Sequence, residues 1–174
     1  EGYGPNDEAM AALAEAHDLI VCVDCGTLSH GPIAAAGGAD VISFDLPETT
    51  PADGVLANIA GDMRDTDLLT QTLDQHQPDA IIHLASLLSG SSEANPELAW
   101  DVNATASITL MRLAAARGVG PFIFASTLAT YGECGTVLTD DAPQWPDNVY
   151  GVTKVAVERM GVWMKQSSGF DLRC

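Results

Sequence analysis

Positive charge is scarce in this chain: seven Lys and Arg stand against 24 Asp and Glu, for a net charge of −17 over 174 residues. So acidic a molecule repels a phosphodiester backbone, which argues against nucleic acid as a partner. Long apolar runs are missing too. None approaches the ~20 residues a helix needs to cross a bilayer, and no basic-then-apolar leader opens the chain. A cytoplasmic protein with no membrane partner is the expectation. Cysteine is sparse, at Cys22, Cys25, Cys134 and Cys174. Cys22-Val-Asp-Cys25 is a C-x-x-C, but it falls within or at the end of an apolar run, so buried thiols are expected rather than a redox pair. With no second C-x-x-C and no suitably spaced histidine pair, no metal site is assigned.

What the chain does have is hydrophobic residues, 47% of the total, enough for one domain with a sizeable core. Residues 7–16 look helical, with Asn6 or Asp7 as cap and Met10, Leu13 and Ala14 on one face. Strands are expected at 18–24, 40–46, 78–86 and 121–126, with a shorter one inside 55–63 ending at Asp62. Residues 33–38 give at most a short helix. Helices are expected at 64–76, at 95–118 with Pro96 in the first turn and Gly118 as C-cap, and from Tyr150 to about Gln166. The long helix places Leu98, Val102, Ala106, Leu110 and Leu113 along one side, and the last places Val152, Val155, Ala156, Met160 and Trp163 on one face. Residues 25–32, 46–54, 87–94 and 133–148 read as loops, and 170–174 as a strand barely begun. Strands alternating with helices imply an α/β fold, a parallel sheet with helices on both faces.

The chemistry concentrates where the strand 121–126 ends in Ser126-Thr127 and the last helix opens with Tyr150 and Lys154. Ligands of open α/β sheets bind at the carboxyl edge of the strands. Tyr150 and Lys154 are four apart and share a helix face. An ammonium beside a phenol favours phenolate. A hydroxyl, a tyrosine and a lysine form a proton-transfer group suited to alcohol–ketone chemistry.

From about residue 39 onward the chain resembles the extended short-chain dehydrogenase/reductase family of NAD-dependent epimerases, dehydratases and dehydrogenases. The residues that carry this are PDAIIHLAS (78–86), Asn103, STLATYGE (126–133) and Tyr150-Gly-Val-Thr-Lys154. Within the family, HLASLLSGSSEANPELAWDVN (83–103) is similar to the short-chain L-threonine 3-dehydrogenase type. The resemblance implies a Rossmann-like three-layer domain and assigns roles by position. Tyr150 is the general base, Lys154 lowers its pKa and binds the nicotinamide ribose, and Thr127 holds the substrate oxygen beside Ser126. Asp45 accepts from the adenosine ribose and favours NAD over NADP. Asp62 and Met63 lie against adenine, Leu84, Ala85 and Ser86 flank the cofactor, and Asn103 belongs to the same site. Ser89 lies in the substrate loop. The resemblance also implies a homodimer through helices 95–118 and 150–166.

The front departs from that family. Its triple-glycine phosphate turn is replaced by Cys25-Gly26-Thr27-Leu28-Ser29-His30-Gly31-Pro32, where Gly26 is the remaining cofactor-binding candidate and Pro32 has no N–H to offer. Residues 1–44, through EGYGPN, LIVCVDCGTLSHGPIAAA and ADVI, resemble a piece of the RecJ-type DHH single-strand exonucleases. In that family Asp24 would be a manganese ligand. Asp-His-His is represented here by Asp45-Leu46-Pro47, so the two-metal centre is lost. The reading is a hybrid: 1–44 stands in for the first βαβ, 45–174 is dehydrogenase-like, and the chain ends as the sixth strand starts, without a substrate domain. Weak or absent NAD binding and no efficient catalysis are expected. The alternatives are an NAD-dependent L-threonine 3-dehydrogenase-type enzyme and an oligomerising interaction module.

Overall fold

The computed structural model describes residues 7–23, 39–133, 138–139 and 142–174. Six strands form one sheet: β1 (Leu19–Val23), β2 (Asp40–Asp45), β3 (Ala57–Ala60), β4 (Ala80–His83), β5 (Phe122–Phe124) and β6 (Leu172–Arg173). All pair in parallel, in the order β3-β2-β1-β4-β5-β6. The order reverses between β1 and β4, which makes the crevice beyond their carboxyl ends the topological switch point of the sheet. The segment 18–46, expected to substitute for the first βαβ, supplies the central strand β1 and its neighbour β2. Its loop 25–32 and the short helix expected at 33–38 lie outside the described residues.

Alternation along the strands sorts side chains to the two faces. Ile42, Phe44, Ile81, Phe122 and Phe124 point to one side. There they meet Leu69 and Leu73 of α2 (Thr66–His76), Leu110, Met111 and Ala114 of α5 (Ser107–Arg117), and Val157 and Met164 of α6 (Val149–Ser168). Ile20, Val41 and Ile82 point to the other, under Met10 and Leu13 of α1 (Asp7–Ala16). The result is the three-layer α/β arrangement that the alternation of elements implies.

Helix ends follow the capping residues. Asp65 accepts from Leu68 N at 3.0 Å ahead of α2, Asn95 from Leu98 N at 3.2 Å, and Asn148 from Gly151 N at 2.8 Å ahead of α6. Gly118 closes α5 at φ 70°, in the left-handed region that glycine enters without a Cβ clash.

Four expectations are corrected. Residues 87–94, expected as a loop, contain the short helix α3 (Ser89–Ala94), anchored by buried Ser92 donating to Leu87 O at 2.9 Å. The strand inside 55–63 ends at Ala60, with Asp62 two residues beyond it. The helix of 95–118 is not uniform: α4 (Pro96–Ala99) passes into a π-helical segment (Trp100–Ala106) before α5. The wider turn shifts the phase, so the buried positions are Ala99, Asn103, Ala104, Ala106, Ser107, Leu110, Met111 and Ala114 instead of a stripe from Leu98 to Leu113. Finally, α6 turns Tyr150, Thr153, Lys154, Val157, Gly161 and Met164 inward. Val152, Met160 and Trp163, expected to share a buried face, are exposed.

Candidate functional site

The carboxyl ends of β2, β3 and β4 border a cavity of about 200 Å³, walled by Phe44, Asp45, Gly61, Asp62, Met63, Ala85, Ser86, Leu98 and Val102 among others. Asp45 closes β2, and its Oδ1 accepts from Leu46 N at 2.7 Å and Thr49 Oγ1 at 3.0 Å. Asp62 is held by Arg64, whose Nε lies 3.0 Å from Oδ1 and whose Nη2 lies 2.5 Å from Oδ2. That guanidinium keeps the Asp62 carboxyl below the usual carboxylate range, against the opposing effect of partial burial. Asp45, Asp62, Met63, Ala85 and Ser86 are thus brought to one cavity. Leu84 turns to the opposite face, against the α1 cluster.

Beyond β5 the chain continues through Ala125, Ser126 and Thr127 into a 3₁₀ turn, Leu128–Tyr131. Thr127 caps that turn, with Oγ1 accepting from Ala129 N at 3.3 Å. The start of α6 packs directly on it: a Cβ added at Gly151 would overlap Ala129 O. Tyr150 is 5% and Lys154 1% exposed. Lys154 Nζ donates to Ala125 O at 2.9 Å and sits 4.6 Å from the Phe124 ring centroid and 5.5 Å from that of Tyr150. Ser126 Oγ donates to Glu158, one helical turn beyond Lys154. Thr127, Tyr150, Lys154 and Ser126 therefore share one neighbourhood at the strand edge.

Asn103 stands behind this edge. It is 1% exposed, and its amide accepts from Leu87 N at 2.7 Å while donating to Leu87 O at 2.9 Å and Thr153 Oγ1 at 3.3 Å. It fastens the chain leaving β4 to α6. Ser89 is exposed at the start of α3. Gly26 and Cys25 lie outside the described residues, and Cys22 falls within β1. No group of His, Cys, Asp and Glu among the described residues is arranged to hold a metal ion, and no described helix is long and apolar enough to cross a membrane.

Three participants escaped the sequence reading. Arg64 follows Asp62 by two residues, and a basic residue so close to a strand-end acid is a readable signal. Glu158 completes the spacing Tyr150, Lys154, Glu158 at i, i+4, i+8, which was equally readable. His83 is fully buried, its Nε2 2.7 Å from Ser107 Oγ and its Nδ1 without a hydrogen-bond partner. Burial first, and the Lys154 charge second, push its pKa down to about 3. No local pattern reports that environment.

Residues 32–174 match the model of the NAD dependent epimerase/dehydratase family. A UDP-glucose 4-epimerase from Corynebacterium glutamicum is 36% identical over 159 residues, which cover 90% of this chain and 42% of that protein. The crystal structure of the Thermus thermophilus UDP-glucose 4-epimerase in complex with NAD superposes with a TM-score of 0.80 at 26% identity, covering 88% of this chain and 53% of that one. L-threonine 3-dehydrogenase from Trypanosoma brucei superposes with a TM-score of 0.75 at 29% identity, covering 90% and 51%. The chain spans about half the length, or less, of the relatives it matches. With the family model covering most of its residues, the chain belongs to the NAD dependent epimerase/dehydratase family.

Proposed function

We propose that these residues form the dinucleotide-binding part of an NAD-dependent oxidoreductase or epimerase, with Thr127, Tyr150 and Lys154 as its proton-transfer group. The observation that carries this is a lysine 1% exposed whose ammonium is delivered to the carboxyl edge of β5, on Ala125 O. A lysine buried at the sheet edge where open α/β folds bind their ligands points to chemistry.

The residues fit NAD. Met63, Ala85 and Phe44 give apolar walls for a flat base, and Asp45 offers a carboxylate where ribose hydroxyls would lie and a 2′-phosphate would be repelled. Asp62 would meet the adenine edge, Leu84, Ala85 and Ser86 would flank the cofactor through their backbone, and Gly26 is the remaining candidate for the pyrophosphate. When bound, NAD supplies the hydride acceptor. Tyr150 takes the hydroxyl proton, Thr127 holds the substrate oxygen with Ser126 beside it, and Lys154 holds the tyrosine and the nicotinamide ribose. Asn103 supports that arrangement from behind, and Ser89 faces the substrate.

Binding is weak and turnover inefficient in this reading, because the turn 25–32 offers two glycines and Pro32 in place of a full set of phosphate-facing N–H groups. Titration calorimetry with NAD tests this, and a low-micromolar Kd overturns it. Leu28→Gly with Pro32→Ala should tighten binding about tenfold, the worth of one charge-assisted hydrogen bond.

Two substrates compete. The run 83–103 favours L-threonine, and the names of the curated relatives favour a UDP-sugar. NADH formation with L-threonine, against NAD-dependent interconversion of UDP-hexoses, separates them, and loss of either activity in Tyr150→Phe ties it to this site. The hybrid reading of 1–44 rests on Val23-Asp24-Cys25-Gly26 alone, since the family match already takes in residues 32–44 and the Corynebacterium glutamicum relative covers 90% of the chain. Resequencing the gene across codons 18–46 from its source tests it. A second copy of the chain is the proposed partner, through the outer faces of 96–117 and 149–168.

A further inference from the structure

We propose that Glu158 is a positioning residue that fixes the strand end carrying Thr127, an inference that rests on the role given above to Thr127, Tyr150 and Lys154. The argument starts from helix spacing. Tyr150, Lys154 and Glu158 recur every four residues and occupy one side of α6. Lys154 Nζ holds Ala125 O at 2.9 Å, and Glu158 Oε1 accepts from Ser126 Oγ. Two consecutive residues are therefore tied to two consecutive turns of the helix, and Thr127 is the next residue along.

The place needs such ties. β5 ends at Phe124, and Ala125 N still donates to His83 O at 3.1 Å. Past that bond the chain leaves the sheet and bends into the 3₁₀ turn 128–131. Thr127 is extended, at φ −154° and ψ 153°, and its own bonds run forward, Oγ1 to Ala129 N and O to Thr130 Oγ1 at 2.8 Å. The direction of its hydroxyl is inherited from the main chain at Ser126, which Glu158 restrains.

The second carboxylate oxygen extends the clamp. Glu158 Oε2 accepts from Gln144 Nε2 at 2.6 Å, and Gln144 Oε1 in turn accepts from Arg159 Nη2. Gln144 belongs to the segment that enters α6 through its cap, Asn148. One acceptor-only side chain thus joins the two segments that present Thr127 and Tyr150, and its two oxygens match the two donors that meet it.

Amide hydrogen exchange of the whole chain, without ligand, tests the clamp directly. In Glu158→Ala and in Ser126→Ala, exchange within 126–132 should rise about tenfold, the effect of losing one hydrogen bond to a charged acceptor. The double variant should exchange no faster than Glu158→Ala alone, because Ser126→Ala removes a link already lost there, and Glu158→Gln, which keeps an acceptor, should restore most of the protection. Exchange in β2 should not change. Unchanged protection in Glu158→Ala, additive effects in the double variant, or loosening throughout the sheet overturns the proposal. NAD titration of the unaltered chain is read separately. Coupled exchange without NAD binding keeps the clamp and removes the site reading. NAD binding with uncoupled exchange does the reverse.

Discussion

His83 and Lys154 show how a buried side chain is set by its surroundings and not by its neighbours in sequence. His83 packs 5.9 Å from the Phe122 ring centroid and 5.6 Å from that of Phe124, and Lys154 stands over Phe124. Burial first, and the nearby Lys154 charge second, disfavour a charged ring, so the imidazole stays neutral to about pH 3. An unfolded histidine takes up a proton near pH 6.5. Between these values the unfolded state binds the proton and the folded state does not, so stability falls as pH falls from about 6.5 towards 3, by up to ~1.4 kcal/mol per unit. Urea unfolding of the parent chain and of His83→Gln should show it: between pH 7 and 5 the parent loses about 2 kcal/mol more than the variant. Equal losses exclude the buried neutral histidine. Gly151 gives a second residue-scale case. Ala129 O and the Pro146 side chain occupy the space a Cβ would need. Gly151→Ala should destabilise by about 1–3 kcal/mol, as overpacking does, and urea midpoints check it. Thr127, Tyr150 and Lys154 were legible because hydroxyls at a strand end and a four-residue spacing are local patterns. Arg64 and Glu158 were equally local but lay outside the family pattern being matched. His83 was legible only as a polar residue in an apolar strand, since its partner Ser107 is 24 residues away.

Elements obey their ends more faithfully than their faces. α6 starts where Asn148 accepts from Gly151 N and stops at Gly169, whose φ is 75°. Asn148→Ala removes that acceptor and should cost about 1 kcal/mol. Tyr150 lies in the first turn, so fraying there also disorders the proposed base. Thermal unfolding reads the first effect, and faster amide exchange confined to 149–153 reads the second. α1, α2 and the four interior strands were placed within three residues for the same reason: caps, glycines and short apolar runs are properties of adjacent residues. Faces depend on phase, which accumulates error. The π-helical turns over Trp100–Ala106 add residues that a 3.6 period does not count, so Asn103 and Ser107 go inward and Leu98 only partly so. On α6 the apolar residues were assumed to mark the core. The core side instead holds Gly151, Thr153, Lys154 and Gly161, small or functional groups where the turn 128–131 and Leu172 come close.

The apolar residues left outside on these helices bear on the whole molecule. Trp100 is 47% exposed, Val152 41%, Met160 36% and Trp163 61%, and patches of large apolar side chains mark contact surfaces. Charge singles out the same region. Five of the seven cations lie within 96–117 and 149–168, with Lys154 buried and Arg112, Arg117, Arg159 and Lys165 left toward the surface, beside only three of the 24 acids, Glu97, Asp101 and Glu158. The rest of the chain has two cations against 21 acids, a net charge of −19, and copies approaching by any other surface repel one another. Two copies meeting through these helices bring together a weakly positive, apolar surface and keep their acidic surfaces apart. A dimer at micromolar concentration is the expected state. Because the remaining repulsion acts over distances that salt screens, with a Debye length of about 10 Å at 0.1 M, association should strengthen from low to moderate salt. Sedimentation velocity at two salt concentrations checks both points. Trp163→Glu should shift the chain to monomer while leaving its thermal midpoint within about 2 °C, the small change expected of a surface substitution in a folded monomer. Monomer at every concentration and salt removes the dimer, and a dimer that persists in Trp163→Glu places the contact elsewhere.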